Sequence, residues 1–228
     1  MSRTIVLGDI HGCYDELISL LNLVGLKPYD RVVAVGDLIT KGPKSREVLE
    51  LFRTDKRFRS VLGNHDIALL KYWRGESNSL KNAQVITAAE LESDSQLYVD
   101  FLGSLPLMID LDSHLVVHAG LRPGVPLDKQ STEDLTEIRT LGEDRTSRDG
   151  IRWYEVYDSQ PTVLFGHWPT REPIRAAHAI GLDTGCVYGN RLTGYIIETD
   201  ELVSVSALQA YDRPSPRLRK AGGSNSTG

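Results

Sequence analysis

The sequence has little of what marks a membrane, secreted or nucleic-acid-binding chain. No apolar run reaches membrane-spanning length, and the N-terminus lacks the charged-then-apolar layout of a signal peptide. Two cysteines among 228 residues are too few for a disulfide framework, so we interpret Cys13 and Cys186 as small buried residues. A net charge of −5 argues against general nucleic-acid binding. These absences favour a cytoplasmic protein that does not associate with membranes.

The composition is that of an ordinary globular chain. Apolar residues make up 40% and charged residues 25%, and the length suits one large domain or two small ones. From Asp212 onward, Pro, Arg, Lys, Gly and Ser dominate, and apolar residues are too few to pack. We therefore predict a folded domain over residues 1–211 and a disordered tail over residues 212–228.

Residues 8–12, Gly-Asp-Ile-His-Gly, are the most informative stretch. An apolar run leads into it and a helical pattern leaves it, which predicts a buried strand that ends in a turn at a helix start. Asp9 and His11 offer an oxygen and a nitrogen ligand, which suit a divalent ion such as Zn, Mn or Fe. Gly8 and Gly12 allow a sharp bend and leave space for a phosphate or a metal. Taken alone, the motif fits an ordinary strand-to-helix loop equally well.

The same arrangement recurs along the chain and predicts an α/β fold. Strands are predicted at residues 4–8, 31–35, 59–62, 105–111, 114–117, 162–165, 180–183, 192–197 and 202–205. Helices are predicted at residues 13–24, from 45, from 67, within 76–103 and near 131–140. In open α/β sheets, ligands bind at the carboxyl ends of the strands.

Polar side chains of metal-binding type follow several of these strands. They are Asp9, His11, Asp37, Asn64, His118 and His167. Two carboxylates, one amide oxygen and three imidazoles exceed what one ion with open positions needs, and fit two ions that share a carboxylate. Two cations about 3.5–4 Å apart clamp a phosphoryl group and generate a hydroxide from water near neutral pH. His65, directly after Asn64, could protonate a leaving oxygen.

Together these motifs resemble the calcineurin-like metallophosphoesterases of the phosphoprotein-phosphatase type. Within that family the chain is most similar to the symmetrical diadenosine tetraphosphatases and the ApaH-like phosphatases. Residues 8–15, 36–43, 165–168 and 182–189 carry this likeness. The resemblance implies a four-layer α/β/β/α sandwich with mixed sheets, and a catalytic domain over residues 1–211.

The resemblance also implies roles for individual residues. Asp9, His11 and Asp37 would bind one metal ion, and Asp37, Asn64, His118 and His167 the other, with Asp37 bridging. His65 would be the general acid. Lys41 and one arginine, either Arg152 (the first choice) or Arg139, would hold the phosphate. The cofactor would be two divalent ions, with manganese favoured and Fe, Zn, Co or Ni possible.

One departure from the family pattern bears on the substrate. The family reads Asp-Arg-Gly after the bridging aspartate, whereas this chain reads Thr40-Lys41-Gly42. Thr40 offers His65 only a hydroxyl, so His65 should assist poor leaving groups weakly. A serine alkoxide needs full protonation to leave. A phosphate leaving group does not, because its second pKa is about 6. The departure therefore favours phosphoanhydride cleavage.

We therefore predict an enzyme that uses a metal-bridging hydroxide to hydrolyse dinucleoside polyphosphates such as diadenosine tetraphosphate. The alternative substrates are phosphoproteins on Ser, Thr or Tyr, and inorganic polyphosphate. A non-catalytic metal or nucleotide sensor on the same scaffold is the alternative from another class. The expected partner is a small nucleotide. Trp73, Tyr98, Trp153, Trp168 and Tyr188 could stack on an adenine, but core packing explains most of them equally well.

Overall fold

The computed structural model describes residues 2–213, which contain ten strands and seven α-helices. The strands are β1 (Thr4–Leu7), β2 (Arg31–Ala34), β3 (Phe58–Ser60), β4 (Met108–Asp110), β5 (His114–Val117), β6 (Thr162–Phe165), β7 (Ile174–Arg175), β8 (Ala179–Gly181), β9 (Arg191–Ile196) and β10 (Glu201–Ser206). The helices are α1 (Tyr14–Leu23), α2 (Ser45–Thr54), α3 (Asn64–Trp73), α4 (Asn82–Leu91), α5 (Ser95–Ser104), α6 (Thr132–Glu137) and α7 (Trp153–Val156). Short 3₁₀ turns cover Glu92–Asp94, Leu127–Lys129 and Ile197–Thr199.

The strands form two mixed sheets of five strands each. The first has the order β10-β9-β1-β2-β3, with β1, β2 and β3 parallel and β9 antiparallel to β1. The second has the order β4-β5-β6-β8-β7, with β5, β6 and β8 parallel and β4 and β7 antiparallel at its edges. In each sheet, the three parallel strands bring their carboxyl ends to one edge.

The two sheets pack face to face through a layer of branched apolar side chains. Val6 and Val33 from the first sheet join Val116, Leu164 and Ile180 from the second in one buried cluster. The neighbouring residues along the same strands point to the opposite faces, because side chains alternate along a strand. The strands are therefore apolar on both faces, which explains their continuous hydrophobic runs.

Helices cover both outer faces of this sandwich. Ile5 and Leu7 of β1 pack with residues of α1, α2 and α3 in the largest apolar cluster. Val117 and Phe165 of the second sheet pack against Trp153 of α7 and against α6. The result is the predicted four-layer α/β/β/α arrangement, and the fold class is confirmed.

The boundaries of several elements differ from those predicted. The strand predicted over residues 105–111 is limited to Met108–Asp110, because α5 continues to Ser104 and Pro106 has no amide to give to a ladder. The helix predicted from residue 67 begins three residues earlier, at Asn64. Strand β7 and helix α7 were not predicted, since two and four residues are too short to show a period.

Other expectations concern the cysteines, the tail and the membrane. Cys13 and Cys186 are free and buried. The predicted disordered tail lies, from residue 214 onward, outside the described residues. Within residues 2–213, no helix combines the length and the apolar content that crossing a bilayer requires.

A buried ion pair joins the starts of β1 and β2. The Asp30 side chain is 1% exposed, and it accepts hydrogen bonds from Arg3 Nη2 at 2.6 Å, from Arg3 Nε at 3.2 Å and from the Lys27 amide at 2.9 Å. Burial alone would raise the pKa of Asp30, but the hydrogen bonds from Arg3 and Lys27 outweigh it and lower the pKa to about 2. Because the folded-state pKa is depressed, this stabilisation is present above pH about 4 and is lost as the pH falls towards about 2.

We expect Asp30→Asn to lower the free energy of unfolding by about 2 kcal/mol at pH 7. The difference from wild type should shrink as the pH falls below about 4, because wild-type Asp30 then becomes protonated. Urea denaturation of both proteins without metal, from pH 7 down to the lowest pH at which wild type stays folded, measures this.

Asp128→Asn is the matched control, because Asp128 is 75% exposed and lies 3.8 Å from Lys129 at the surface. It should change the stability little at any pH. A deficit in Asp30→Asn that stayed constant with pH would contradict the assignment to this carboxylate.

Candidate active site

A cavity of about 940 Å³ opens where the carboxyl ends of the parallel strands of both sheets meet. The six residues predicted as metal ligands lie together at this edge, on the segments that follow β1, β2, β3, β5 and β6. Five of them line the cavity itself, and His118 lies fully buried behind it. The site is therefore assembled from both layers of the sandwich.

The backbone of these segments is unusual. Positive φ angles occur at His11 (48°), Asp37 (50°), Thr40 (77°), Lys41 (69°) and His167 (66°). Such angles are uncommon for residues other than glycine, and for a β-branched residue such as Thr40 they are true outliers. Strained conformations of this kind persist only where the surroundings over-determine them, and they cluster at functional sites.

Two glycines let the carboxylates lie close to the backbone of neighbouring loops. A Cβ on Gly63 would lie 2.2 Å from Asp37 Oδ1, and a Cβ on Gly166 would lie 1.9 Å from Asp9 Oδ1. Any side chain at either position would displace a carboxylate. The turns after β3 and β6 therefore require glycine.

Asp37 lies at the centre of the cluster. Its Oδ2 is 3.4 Å from His11 Nε2 and 3.6 Å from His118 Nε2, while Oδ1 accepts a hydrogen bond from the His65 amide at 2.9 Å. Burial alone would raise the pKa of Asp37, but the surrounding imidazoles and Lys41 outweigh it and hold the pKa below its usual value. Asp37 is therefore ionised and faces two imidazoles from different sheets.

The backbone fixes the tautomers of these imidazoles. His11 Nδ1 donates to the Ile39 carbonyl at 3.1 Å, and His118 Nδ1 donates to the Val35 carbonyl at 2.8 Å. Burial lowers the pKa of both histidines, so each ring is neutral and its Nε2 carries a lone pair. Nitrogen and oxygen lone pairs thus converge around Asp37, an arrangement that a divalent cation would satisfy.

His167 and Asn64 extend the same cluster. Asn64 Oδ1 lies 3.0 Å from His118 Nε2 and 3.1 Å from His167 Nδ1. Among the residues that the structure describes, the buried Nε2 of His167 has no hydrogen-bond partner. A buried orphan nitrogen is uncommon, and its position beside the other donors fits a bound metal ion.

His65 occupies the first turn of α3, beside the donor cluster. Its Nδ1 lies 3.0 Å from Thr40 Oγ1 and 3.4 Å from Gln84 Nε2. Burial lowers the pKa of His65 to about 3, so the ring is neutral at pH 7. The carboxylate of Asp66 accepts hydrogen bonds from the amides of Gly63 and Leu38 and so fixes this helix start.

The predicted cations take different positions. Lys41 Nζ lies 2.8 Å from His11 Nε2, and Arg139 lines the cavity. Arg152 is not among the residues that line it: its side chain is 48% exposed and lies 3.4 Å from Glu155. The structure thus brings Lys41 and Arg139 to the site but not Arg152.

Sequence analysis missed several residues of the cavity, and two of them, Asp183 and Arg148, carry charge into it. Asp183 is buried, lines the cavity and follows β8, which is the same strand-end signal that identified the other carboxylates. Arg148 lines the wall of the cavity from a loop between α6 and α7, where the sequence has no periodic pattern to place it.

A mixed β-sandwich between helices, with this donor cluster at its strand ends, has the architecture of a metallophosphoesterase. A model of the family described as calcineurin-like phosphoesterase matches residues 2–215, and the chain belongs to this family. It is therefore a hydrolase of phosphoester or phosphoanhydride bonds. The family uses a dinuclear centre of divalent metal ions, and the convergent oxygen and nitrogen donors of this chain fit such a centre.

Curated relatives match nearly the whole chain. The chain is 33% identical to the bis(5′-nucleosyl)-tetraphosphatase PrpE, asymmetrical, of Bacillus subtilis, over 91% of this chain and 96% of the relative. It is 27% identical to the symmetrical bis(5′-nucleosyl)-tetraphosphatase of Neisseria gonorrhoeae, over 90% of this chain and 96% of the relative.

Solved structures show the same fold. A crystal structure of a protein provisionally described as a diadenosine tetraphosphatase superposes with a TM-score of 0.79 at 34% identity, over 90% of this chain and 94% of that one. The cold-active protein-tyrosine phosphatase of a Shewanella species superposes with a TM-score of 0.59 at 16% identity, over 94% of this chain and 80% of that one. The second likeness concerns the fold alone.

We expect Asp37→Asn to lose most of its bound metal. An amide at this position removes the shared charge between His11 and His118, so the content of divalent metal should fall from about two ions per chain to one or fewer. Elemental analysis after gel filtration measures this content. Asp149→Asn, at the rim of the same cavity, is the control and should retain the wild-type content. Equal metal content in wild type and Asp37→Asn would contradict the central role of Asp37.

Proposed function

We propose that this chain hydrolyses the phosphoanhydride bonds of dinucleoside polyphosphates, as the names of its bis(5′-nucleosyl)-tetraphosphatase relatives suggest. The observation that carries the choice of substrate is the contact of 3.0 Å between the Thr40 hydroxyl and His65. A hydroxyl in place of a carboxylate does not raise the pKa of the imidazole, so little of His65 is protonated and able to act as a general acid, and only a good leaving group tolerates that.

The metal ligands in this proposal are the convergent donors. Asp9, His11 and Asp37 would hold one ion, and Asp37, Asn64, His118 and His167 would hold the other, with Asp37 shared. Oxygen and nitrogen donors allow Mn, Fe, Zn, Co or Ni, and manganese is our first choice. When bound, two such ions neutralise charge on phosphoryl oxygens and lower the pKa of water towards neutrality.

Lys41 and Arg139 bind the reacting phosphate. Lys41 carries a flexible ammonium beside His11, and among the described residues no carboxylate oxygen lies within 4.0 Å of its Nζ. Arg139 donates through Nη1 to the Thr146 carbonyl at 3.1 Å, which anchors the guanidinium, while its buried Nε has no partner among the described residues. We therefore assign the phosphate-binding arginine to Arg139 in preference to Arg152.

His65 assists the departure of the leaving group. Thr40 Oγ1 can hydrogen-bond to Nδ1, which orients the ring, but it carries no charge that would raise the pKa of the imidazole. A nucleotide leaving group ends in a phosphate whose second pKa is about 6, so the nucleotide departs with little proton transfer. A serine alkoxide would need a full proton, which a largely neutral His65 does not supply.

We expect the manganese-loaded enzyme to cleave diadenosine tetraphosphate with a kcat/KM at least about tenfold above that for a phosphoserine peptide. A panel that adds inorganic polyphosphate, a capped nucleotide and p-nitrophenyl phosphate, with products separated by ion exchange, measures this. ATP with AMP would indicate asymmetrical cleavage, and ADP alone would indicate symmetrical cleavage.

Other results of this panel would replace the proposal. Faster hydrolysis of the phosphopeptide would favour a protein phosphatase, and release of phosphate from polyphosphate alone would favour a polyphosphatase. A metal-loaded preparation that hydrolyses none of these substrates would favour a sensor.

We expect Thr40→Asp to weaken the preference for diadenosine tetraphosphate over a phosphoserine peptide. A carboxylate beside His65 Nδ1 raises the pKa of the imidazole, so the rate with a phosphoserine peptide should rise by about 10- to 100-fold relative to that with diadenosine tetraphosphate. The ratio of the two kcat/KM values is the measurement.

Thr40→Asn is the matched control for this change. Asn has nearly the same size as Asp, and both tolerate the positive φ of 77° at this position better than threonine does. Because Asn adds no charge, its ratio should stay near that of wild type. Equal shifts in both variants would attribute the effect to the backbone and would contradict the role of the carboxylate.

A further inference from the structure

Arg148 lies in the cavity wall, and none of the described carboxylates forms an ion pair with it. Among the described arginines that are partly buried as whole residues, six form an ion pair with a carboxylate: Arg3, Arg46, Arg57, Arg122, Arg145 and Arg191. Arg148 and Arg139 are the remaining two arginines of this set. Within residues 2–213, no carboxylate oxygen lies within 4.0 Å of either side chain. Partly buried cations without counter-charge are unfavourable unless an anion binds beside them.

The aromatic ring of Trp168 holds Arg148 in position. The guanidinium carbon of Arg148 lies 5.4 Å from the ring centroid, which is cation–π distance. Trp168 follows His167 directly and is 8% exposed, so the ring is fixed relative to the donor cluster. Arg152 contacts the same ring at 5.6 Å but is not part of the cavity lining. Arg148 is thus preorganised for planar recognition of an anion.

Arg139 and Arg148 both line the cavity that holds the donor cluster. Burial, then the charge of Arg148, lowers the pKa of Arg139 to about 10. Asp183 also faces both arginines, but one of its oxygens already accepts a hydrogen bond from the Gly185 amide at 2.9 Å. Arg139, whose buried Nε has no partner among the described residues, is already assigned to the reacting phosphate, so Arg148 is available for a second charged group in the same cavity.

We infer that Arg148 binds the phosphate adjacent to the reacting one, and so selects phosphate chains over phosphate monoesters. This inference rests on the proposed function of the cavity. A monoester fills only the position served by the donor cluster, Lys41 and Arg139. A di- or polyphosphate places a second charged group along the chain, where the fork of Arg148 can contact two of its oxygens. Arg148 is thus a specificity-determining residue of this site.

Arg148→Gln tests the inference, because glutamine keeps a polar side chain of moderate length but removes the charge. The ratio of kcat/KM for diadenosine tetraphosphate to that for p-nitrophenyl phosphate should fall by about 10- to 100-fold. An equal fall with both substrates would assign Arg148 to the reacting phosphate, and no fall with either would exclude it from binding. Both results overturn the inference.

Arg152→Gln is the matched comparison, since it removes a second guanidinium from the same Trp168 ring. Its ratio should stay within about twofold of wild type. The same fall in Arg152→Gln would attribute the effect to the packing of Trp168 and would also overturn the inference.

A second measurement separates this inference from the proposed function. Tripolyphosphate and orthophosphate are compared as inhibitors of p-nitrophenyl phosphate hydrolysis, or by calorimetry if that substrate is not turned over. Wild type should prefer tripolyphosphate, and Arg148→Gln should lose about tenfold or more of that preference, even if diadenosine tetraphosphate is not a substrate. Equal preference in the two proteins would overturn the inference, whatever the natural substrate.

Discussion

Acceptor atoms that face one another at the strand ends constrain the layout of this molecule. Asp37, His11 and His118 point acceptor atoms at a common space, and backbone carbonyls hold both imidazoles in that orientation. Buried acceptors without donors are costly in a folded protein. The rest of the fold compensates, because two packed sheets and two obligatory glycines leave these side chains no alternative position.

Much of this could be predicted from the sequence, and the reason is geometric. Parallel strands bring their carboxyl ends to one edge, so polar residues that follow apolar runs can be assigned to a common site without knowing the sheet order. Asp9, Asn64 and His118 were all placed in this way. Asp183 follows β8 in the same way, but the strand predicted over residues 180–183 includes it, so the pattern does not mark it as a residue beyond a strand end.

The arginines could not be placed by the same reasoning. Arg139, Arg148 and Arg152 lie in a region of loops and one-turn helices, where no period indicates which way a side chain points. A single bridge between Thr140 and Arg152 closes this region, and Arg152 pairs with Glu155 outside the cavity. The Thr140–Arg152 bridge joins residues well apart along the chain, and such a pairing is not visible in one sequence.

The donor cluster takes its residues from both sheets of the sandwich, so bound metal ions would also affect the stability of the folded protein. Asp9, Asp37 and Asn64 follow strands of one sheet, and His118 and His167 follow strands of the other. Ions held between them would cross-brace the two layers, so that any opening wide enough to expose the core would also release the cofactor. The resistance of the chain to heat and to proteases would then increase with the concentration of transition metal in its surroundings. The amount of folded enzyme that survives would therefore reflect that concentration.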